Sequence, residues 1–477
     1  MPFSIALGQL AHQLQVHPIN QPEPELDTIA TGITTDTRVL KPGDLFVALR
    51  GERFDGHDFL PVAHQQGAVA AIVDDRFVQA TATSQFPKHL PLFVVTDTLQ
   101  AYQTIAHWWR QQFTLPIVAV TGSVGKTTTK EMIAAVLATQ GTVLKSQANF
   151  NNEIGVPKTL LELDQHYDYA VIEMGMRALG EIALLSQIAC PNIAVITNVG
   201  TAHIGRLGSE AAIAQAKCEL LQEMPQTGTA ILNHDCPLLL TMASQVWSGH
   251  TITYGLTGGD LHGQYHPSNS IDGVGDRLTV GSLDISLPLP GRHNALNYLA
   301  ALAVAKVLGI DWSTLAHGIR VDLPTGRSRR YVLPNDVILL DETYNAGLES
   351  MLAALHLLAQ LPGQRHIAVL GTMKELGDHS AALHQQVGES AQALGLDGLL
   401  LMIDEPATTA IANGASKIPL VEQFQGTSPE TCAALVQRLC DLVQPGDRIL
   451  FKASNSVGMS RVVEAFRQQY LPQPESS

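Results

Sequence analysis

The sequence predicts an α/β protein of three domains. Its 477 residues suit three units of about 150 residues each. Short apolar runs alternate with helical patterns, the mark of parallel sheets covered by helices. A 45% hydrophobic and 15% charged composition can bury several cores and excludes general disorder. In residues 1–110, the runs Leu45–Leu49, Val69–Val73 and Leu92–Val95 are separated by the turn signals Lys41-Pro42-Gly43-Asp44 and Asp55-Gly56. A small α/β N-terminal domain is expected there, with Trp108–Thr114 as connector. Residues 111–322 alternate more regularly: Ile117–Val120, a helix from Lys126, Ala170–Glu173, a helix near Leu179–Ile188, Ile193–Thr197 and a helix from Glu210. This predicts a central parallel sheet with helices on both faces. Thr257–Asp276 reads as an exposed loop or hairpin, and Asn294–Leu308 as a buried helix. After Pro324-Thr325-Gly326, residues 323–477 alternate again, through Val337–Leu340, a helix near Leu348–Leu361, Ile367–Leu370, Gly398–Ile403 and Arg448–Phe451. A third, Rossmann-like α/β domain is expected, with a frayed tail at Pro472–Ser477.

The net charge of −15 and the lack of any Lys/Arg run argue against nucleic acid as a partner. They leave a phosphorylated substrate open, because loop amides and a few cations can bind one locally. The five cysteines, Cys190, Cys218, Cys236, Cys432 and Cys440, form no C-x-x-C pair and suggest neither a disulfide framework nor a zinc site. The first residues have no basic, apolar signal pattern, and no run approaches the ~18 apolar residues of a membrane span. A reducing, cytoplasmic setting and a monomer are expected.

The sharpest motif is Gly122-Ser123-Val124-Gly125-Lys126-Thr127-Thr128. It joins the apolar strand Ile117–Val120 to a helix carrying Met132, Ile133, Val136 and Leu137 on one face. Strand, Gly-rich turn, Lys-Thr, helix is the context of a phosphate-binding loop. Glycines let backbone N–H groups face phosphate oxygens, and the helix N-terminus adds partial positive charge. Lys126 would reach the β/γ-phosphates of ATP and Thr127 would ligate Mg²⁺. Glu173 ends an apolar strand, where a P-loop metal needs its acid. His203 lies beyond the end of the next strand, where a structural role competes with a ligand role. Lys217 falls on the same helix face as Ile213. It is either a snorkelling side chain or a desolvated amine of lowered pKa, able to take up CO₂ as a carbamate that binds metal.

Several further segments share an order with one family. Thr121–Lys130, Asn149-Phe-Asn-Asn-Glu-Ile-Gly-Val-Pro157, Glu173-Met-Gly175, Asn198-Val-Gly-Thr-Ala-His203 and Ala216-Lys217 resemble the Mur ligases, which build the peptide stem of peptidoglycan. Thr35-Asp36-Thr37-Arg38, Pro42–Ala48 and Gly51–His57 resemble that family's UDP-sugar domain. Gly51–Phe59, Asp341-Glu-Thr-Tyr-Asn345 and Leu370–Gly377, with His384 following, point to the branch that adds D-alanyl-D-alanine. No Asp-Asn-Pro-Arg tetrapeptide of the branch adding the third residue is present.

The resemblance implies an ATP-dependent acid–amino-acid ligase. It would join UDP-N-acetylmuramoyl-tripeptide to D-alanyl-D-alanine through an acyl phosphate, the last cytoplasmic step of the precursor's stem. Residues 1–110 would bind the UDP-sugar peptide, 111–322 ATP, and 323–477 the incoming dipeptide. Thr127 and Glu173 would hold one Mg²⁺, and His203 with a carbamylated Lys217 a second. Asn294 would meet adenine, or serve as a helix N-cap. Arg327 would approach the γ-phosphate, and Asp341, Glu342 and Asn345 the ribose and domain interface. Thr37 and Arg38 would bind uridine, and Asn151 and Asn152 would line the muramoyl-peptide groove. Thr37 stands where the family often has Ser. Gly347-Leu348 replaces a usual Asn-Pro, and Ala453 a usual Gly. Two rivals compete: another Mur-type or folylpolyglutamate-type ligase with a different amine, and a nucleotide-dependent switch that makes no bond.

Overall fold

The inner strands are runs of β-branched and aliphatic residues buried on both faces, as parallel strands under helices must be, among them Ile117–Thr121, Ile193–Ile196 and Gly398–Ile403. A computed structural model describes residues 2–20, 26–82, 86–87, 89–268, 275–316 and 318–471. Among these described residues, three main sheets occur in chain order. The first has five strands, ordered 18–19, 92–95, 70–74, 44–47 and 32–34, parallel except for its first pair. A two-stranded ladder pairs Ile5–Ala6 with Ile29–Ala30.

The central sheet has nine strands. Its parallel part runs in the order 261–266, 250–255, 229–233, 193–196, 117–121, 169–173 and 143–145. Strands Arg277–Val280 and Leu283–Ser286 extend it antiparallel. The Thr257–Asp276 segment is therefore partly regular: Leu261–His266 is a strand of this sheet, and residues 269–274 lie outside the described residues, as does the Pro472–Ser477 tail. The third sheet has six strands, ordered 329–333, 337–341, 447–452, 365–371, 398–403 and 420–425, with only the first pair antiparallel.

Two expectations about helices need correction. Trp108–Thr114 is not a free connector: the helix Thr98–Arg110 runs through Arg110. Trp109 is buried beside Phe3 and its indole donates to the Leu163 carbonyl at 3.0 Å. Arg110 Nε donates to the Ala189 carbonyl at 3.0 Å, so this helix ties the first sheet to the central layers. Second, the buried helix spans Arg292–Val307 with Gly291 as its N-cap, at φ +99. Asn294 is thus inside the first turn and is not the cap. This helix is apolar on nearly every side, as a helix packed all round must be. Its alanines and leucines share a core with Met132, Ile133 and Val136 of the helix Lys126–Leu137. Among the described residues, no helix is long and apolar enough to cross a membrane.

Strand order places the chemistry. Ile117–Thr121 lies between Tyr169–Glu173 and Ile193–Ile196, with Glu173 opposite Val120 and Ile196 opposite Thr121. The loop after Thr121, the Glu173 carboxylate and the segment 198–203 therefore emerge together at one carboxyl edge, where open α/β sheets bind ligands. In the third sheet Asp341 pairs with Phe451, and Leu370 with Lys452. Its carboxyl edge gathers residues 341–349, 371–377 and 452–455.

Candidate active site

The phosphate loop is held from its neighbours. Gly122 has φ +150 and a Cβ there would overlap the Thr197 hydroxyl. Gly125 has φ +83 and a Cβ would sit 2.7 Å from Asn297 Oδ1. Both positions therefore demand glycine. Ser123 N–H donates to the Asn198 carbonyl at 3.1 Å, and Val124 N–H to Asn198 Oδ1 at 2.9 Å. Thr197 Oγ1 donates to the Val124 carbonyl at 2.7 Å. Lys126 Nζ folds back onto the Gly122 and Ser123 carbonyls, at 2.8 and 3.2 Å. Thr127 and Thr128 open the helix and are buried. Asn297, read in the sequence only as a break in an apolar helix, accepts from Thr129 Oγ1 at 3.1 Å and closes the loop from behind.

Glu173 is 3% exposed. Its Oε1 accepts from Asn151 Nδ2 at 2.8 Å, whereas its Oε2 is buried without a hydrogen-bond partner. A buried carboxylate oxygen lacking a donor is costly, and a cation satisfies it. Asn152 Oδ1 accepts from Gly155 N–H at 2.9 Å. It lines a cavity of about 150 Å³ with Glu153, Gly175, Glu181, Leu184 and Leu185.

Lys217 lies in the helix Glu210–Glu223, capped by Ser209 Oγ, which accepts from Ala212 N–H at 3.2 Å. It is 1% exposed, so the snorkelling alternative is wrong: the stem does not carry its ammonium to solvent. Among the described residues no hydrogen bond or ion pair engages it. Burial first, and then the nearby Lys126 charge, push its pKa well below the ordinary lysine value. Burial also lowers that of Lys126, helped by Arg327 and opposed by Glu173. Lys126, Arg327 and the buried Lys217 amine thus gather beside Glu173 inside an acidic protein, a local field suited to phosphate.

The third sheet supplies the other wall. Gly326, at φ +78 and packed on Tyr344, precedes Arg327, whose guanidinium lies 4.0 Å over the Tyr344 ring. Arg327 Nε is buried and unbonded. Asp341 Oδ1 accepts from Thr343 N–H and Oγ1 at 3.1 and 2.6 Å. Burial raises the Glu342 pKa, against the pull of Lys452. Exposed Asn345 caps the next N–H, and its carbonyl accepts from Lys452 Nζ at 3.0 Å. Asn294 Nδ2 donates to the Pro290 carbonyl at 2.7 Å and its Oδ1 accepts from Asn297. Ala453 turns its methyl into the apolar core, against Gly371, so it takes no space at the crevice.

Two residues of this wall were assigned no role from the sequence, although Glu375 lies within the Leu370–Gly377 motif. Glu349 Oε1 accepts from Thr201 N–H at 2.6 Å, Oε2 is buried without a partner, and its charge reaches Lys217. Glu375 lies 2.5 Å from His203 Nδ1 and 3.3 Å from Arg206. The hydrogen bond from His203 holds the Glu375 carboxyl below the usual range. Farther along the same edge, Lys374 pairs with Asp404 and Glu405 at 2.5 and 2.6 Å. Thr37 and Arg38 are apart from all these. Arg38 is an exposed residue paired with Asp36 at 2.6 Å, in a turn whose Asp36, with a pKa lowered to about 2 chiefly by Arg38, also feels Lys158 of the central unit.

No group of three or more His, Cys, Asp or Glu forms a metal cage among the described residues. A strand-end phosphate loop, a buried acid beside it and a second α/β unit packed against both define a P-loop nucleotide site. Residues 120–305 match the Mur ligase middle domain, 326–455 the Mur ligase glutamate ligase domain, and 30–106 the Mur ligase family catalytic domain. The UDP-N-acetylmuramoyl-tripeptide--D-alanyl-D-alanine ligase of Synechocystis sp. is 56% identical over 437 residues, 92% of each chain. A crystal structure of MurF from Acinetobacter baumannii is similar with a TM-score of 0.87 at 30% identity, covering 98% of this chain and 99% of that one. MurF ligase from Thermotoga maritima in complex with ADP gives 0.80 at 30% identity, covering 92% and 97%. The chain belongs to the Mur ligase family.

Proposed function

We propose that this chain joins UDP-N-acetylmuramoyl-tripeptide to D-alanyl-D-alanine, cleaving ATP to ADP and phosphate. The observation that carries the reading is the 56% identity, across 92% of both chains, to a relative of that name. The site suits the chemistry. A carboxylate does not acylate an amine at neutral pH, because its oxygen leaves poorly. Transfer of the γ-phosphoryl group to the tripeptide carboxylate, with ADP leaving, gives an acyl phosphate. The dipeptide amine then attacks the acyl carbon, loses a proton, and expels phosphate. Lys126, Arg327 and the loop amides from Gly122 to Thr128 would hold the phosphates, while Asn294, Asp341 and Asn345 would place the nucleoside. Thr37 and Arg38 would receive the uridine end, and Asn151 and Asn152 the muramoyl peptide.

The residues also fit two Mg²⁺ ions. Glu173, with its donorless oxygen, and Thr127 would hold one. His203 and Lys217 would hold the other after the Lys217 amine adds CO₂ and loses a proton to become a carbamate. Bound there, the ions would neutralise charge on the transferring phosphoryl group. The C-terminal unit sets Glu349 against Thr201 and Arg327 near Lys126 at this edge, and its closure would keep water from the acyl phosphate. The paired Lys374, Asp404 and Glu405 offer both signs of charge to a zwitterionic dipeptide. The test incubates the protein with ATP, Mg²⁺, the UDP-linked tripeptide and a panel of amines. Mass spectrometry should show the pentapeptide product only with D-alanyl-D-alanine. Another amine giving the better product would favour the rival ligase. ADP release indifferent to both substrates would favour the switch.

A further inference from the structure

Resting on the reading of His203 as a metal ligand, we propose that Glu375 is a positioning residue. It orients the His203 ring from the C-terminal unit, so that the second metal position is complete only when that unit is docked. An imidazole that binds metal through one nitrogen is held in one tautomer by an acceptor on the other. The Glu375 carboxylate stands 2.5 Å from Nδ1, and no protein group among the described residues bonds Nε2. That leaves Nε2 with its lone pair free.

The contact is built from both sides. His203 and Glu375 each hold left-handed backbone, at φ +67 and +63, a cost that persists only where surroundings enforce it. Gly205 N–H donates to the Glu375 carbonyl at 3.2 Å. Gly205 and Gly377 are so close that a Cβ on either would strike the other's backbone. The second carboxylate oxygen of Glu375 is steadied by Arg206 at 3.3 Å. The two halves of this contact lie 172 positions apart in the chain, so only docking of the two units creates it.

The experiment titrates the full chain with Mn²⁺ in bicarbonate buffer with the β,γ-imido analogue of ATP, reading free Mn²⁺ by electron paramagnetic resonance. Glu375→Ala should weaken the second Mn²⁺ about ten- to a hundredfold and leave the first within about twofold. Glu375→Gln, whose amide oxygen still accepts from Nδ1–H, should recover most of that loss. Arg206→Ala removes the other arm without touching the imidazole and should stay near wild type. His203→Ala is the reference for a lost second ligand. If His203→Ala weakens the second site and Glu375→Ala does not, the orienting role is wrong and the metal reading stands. If His203→Ala changes nothing, both fall. Equal loss of both sites in Glu375→Ala and Arg206→Ala would mean that Glu375 is only interdomain glue, and the proposal fails.

Discussion

The two walls of the site differ in how they are made. The phosphate loop is held wholly inside the central unit: Gly122 and Gly125 are fixed by Thr197 and Asn297, and Val124 by Asn198. The opposite wall has meaning only across the domain junction, where Thr201 meets Glu349 and His203 meets Glu375. One wall is therefore ready before closure and the other is completed by it. Binding of nucleotide and turnover of substrate should separate along this line.

The largest effect is expected where both depend on one group. Lys126→Met removes the cation of the preformed wall, and product formation should fall by about 10³-fold. ADP affinity, read by calorimetry, should fall with it. Retained ADP affinity would mean that the loop amides alone bind the phosphates. Lys217→Ala comes next, with a loss of about 10²-fold. Short carboxylic acids should restore part of it by standing in for the carbamate. Full activity in Lys217→Ala would remove the carbamate from the mechanism.

Glu349→Ala tests the other wall by itself. It deletes a charge-assisted bond to Thr201 N–H, an interaction of roughly 1.5–3 kcal/mol, so kcat should drop about tenfold or more. ADP affinity should hold, because no phosphate-loop residue bonds to Glu349 in the structure. Parallel losses in both would erase the distinction between the walls.

How much of this was legible in the sequence follows the same divide. The loop could be read because strand, glycines, lysine and helix are consecutive, and Glu173 because it ends an apolar run. Lys217 stood out as a charge on an apolar face, though its burial needed the structure. Glu349 gave no signal, and Glu375 stood inside the Leu370–Gly377 motif without a role: each is an ordinary helix or loop carboxylate until a segment 148 or 172 residues away packs on it. Asn294 misled because the turn before it ends at Gly291, three residues earlier than an N-cap reading requires. Trp108–Thr114 misled because a polar, aromatic stretch reads as linker, while Trp109 in fact fills a shared core.

Acidity should loosen the junction. Burial, and then the Lys452 charge from the C-terminal unit, hold the His293 pKa at about 4, against 6.5 ordinarily. Between those values the unfolded chain binds a proton that the folded one refuses. The stability is thus full above pH 6.5 and lost as pH falls toward 4. His293→Gln should lose less Tm than wild type when the pH is lowered from about 7.5 to about 5. Equal losses would show that carboxylates alone set the acid limb.

The smallest effect is expected at Gly347, where the family pattern commonly has Asn. This glycine has extended backbone, φ −146 and ψ 165, and caps the helix Leu348–Gln360. A Cβ there would meet nothing within 4 Å, so glycine is not required by space or conformation. Its N–H donates to Ser350 Oγ at 3.1 Å, a bond any residue can make. Asn at an N-cap accepts from the first turn and stabilises by only a few tenths of a kcal/mol relative to Gly. Gly347→Asn should therefore raise Tm by about 1 °C and leave kcat within about twofold. A tenfold change in kcat would show that this turn touches substrate, and that the junction wall extends two residues beyond Glu349 toward the reacting groups.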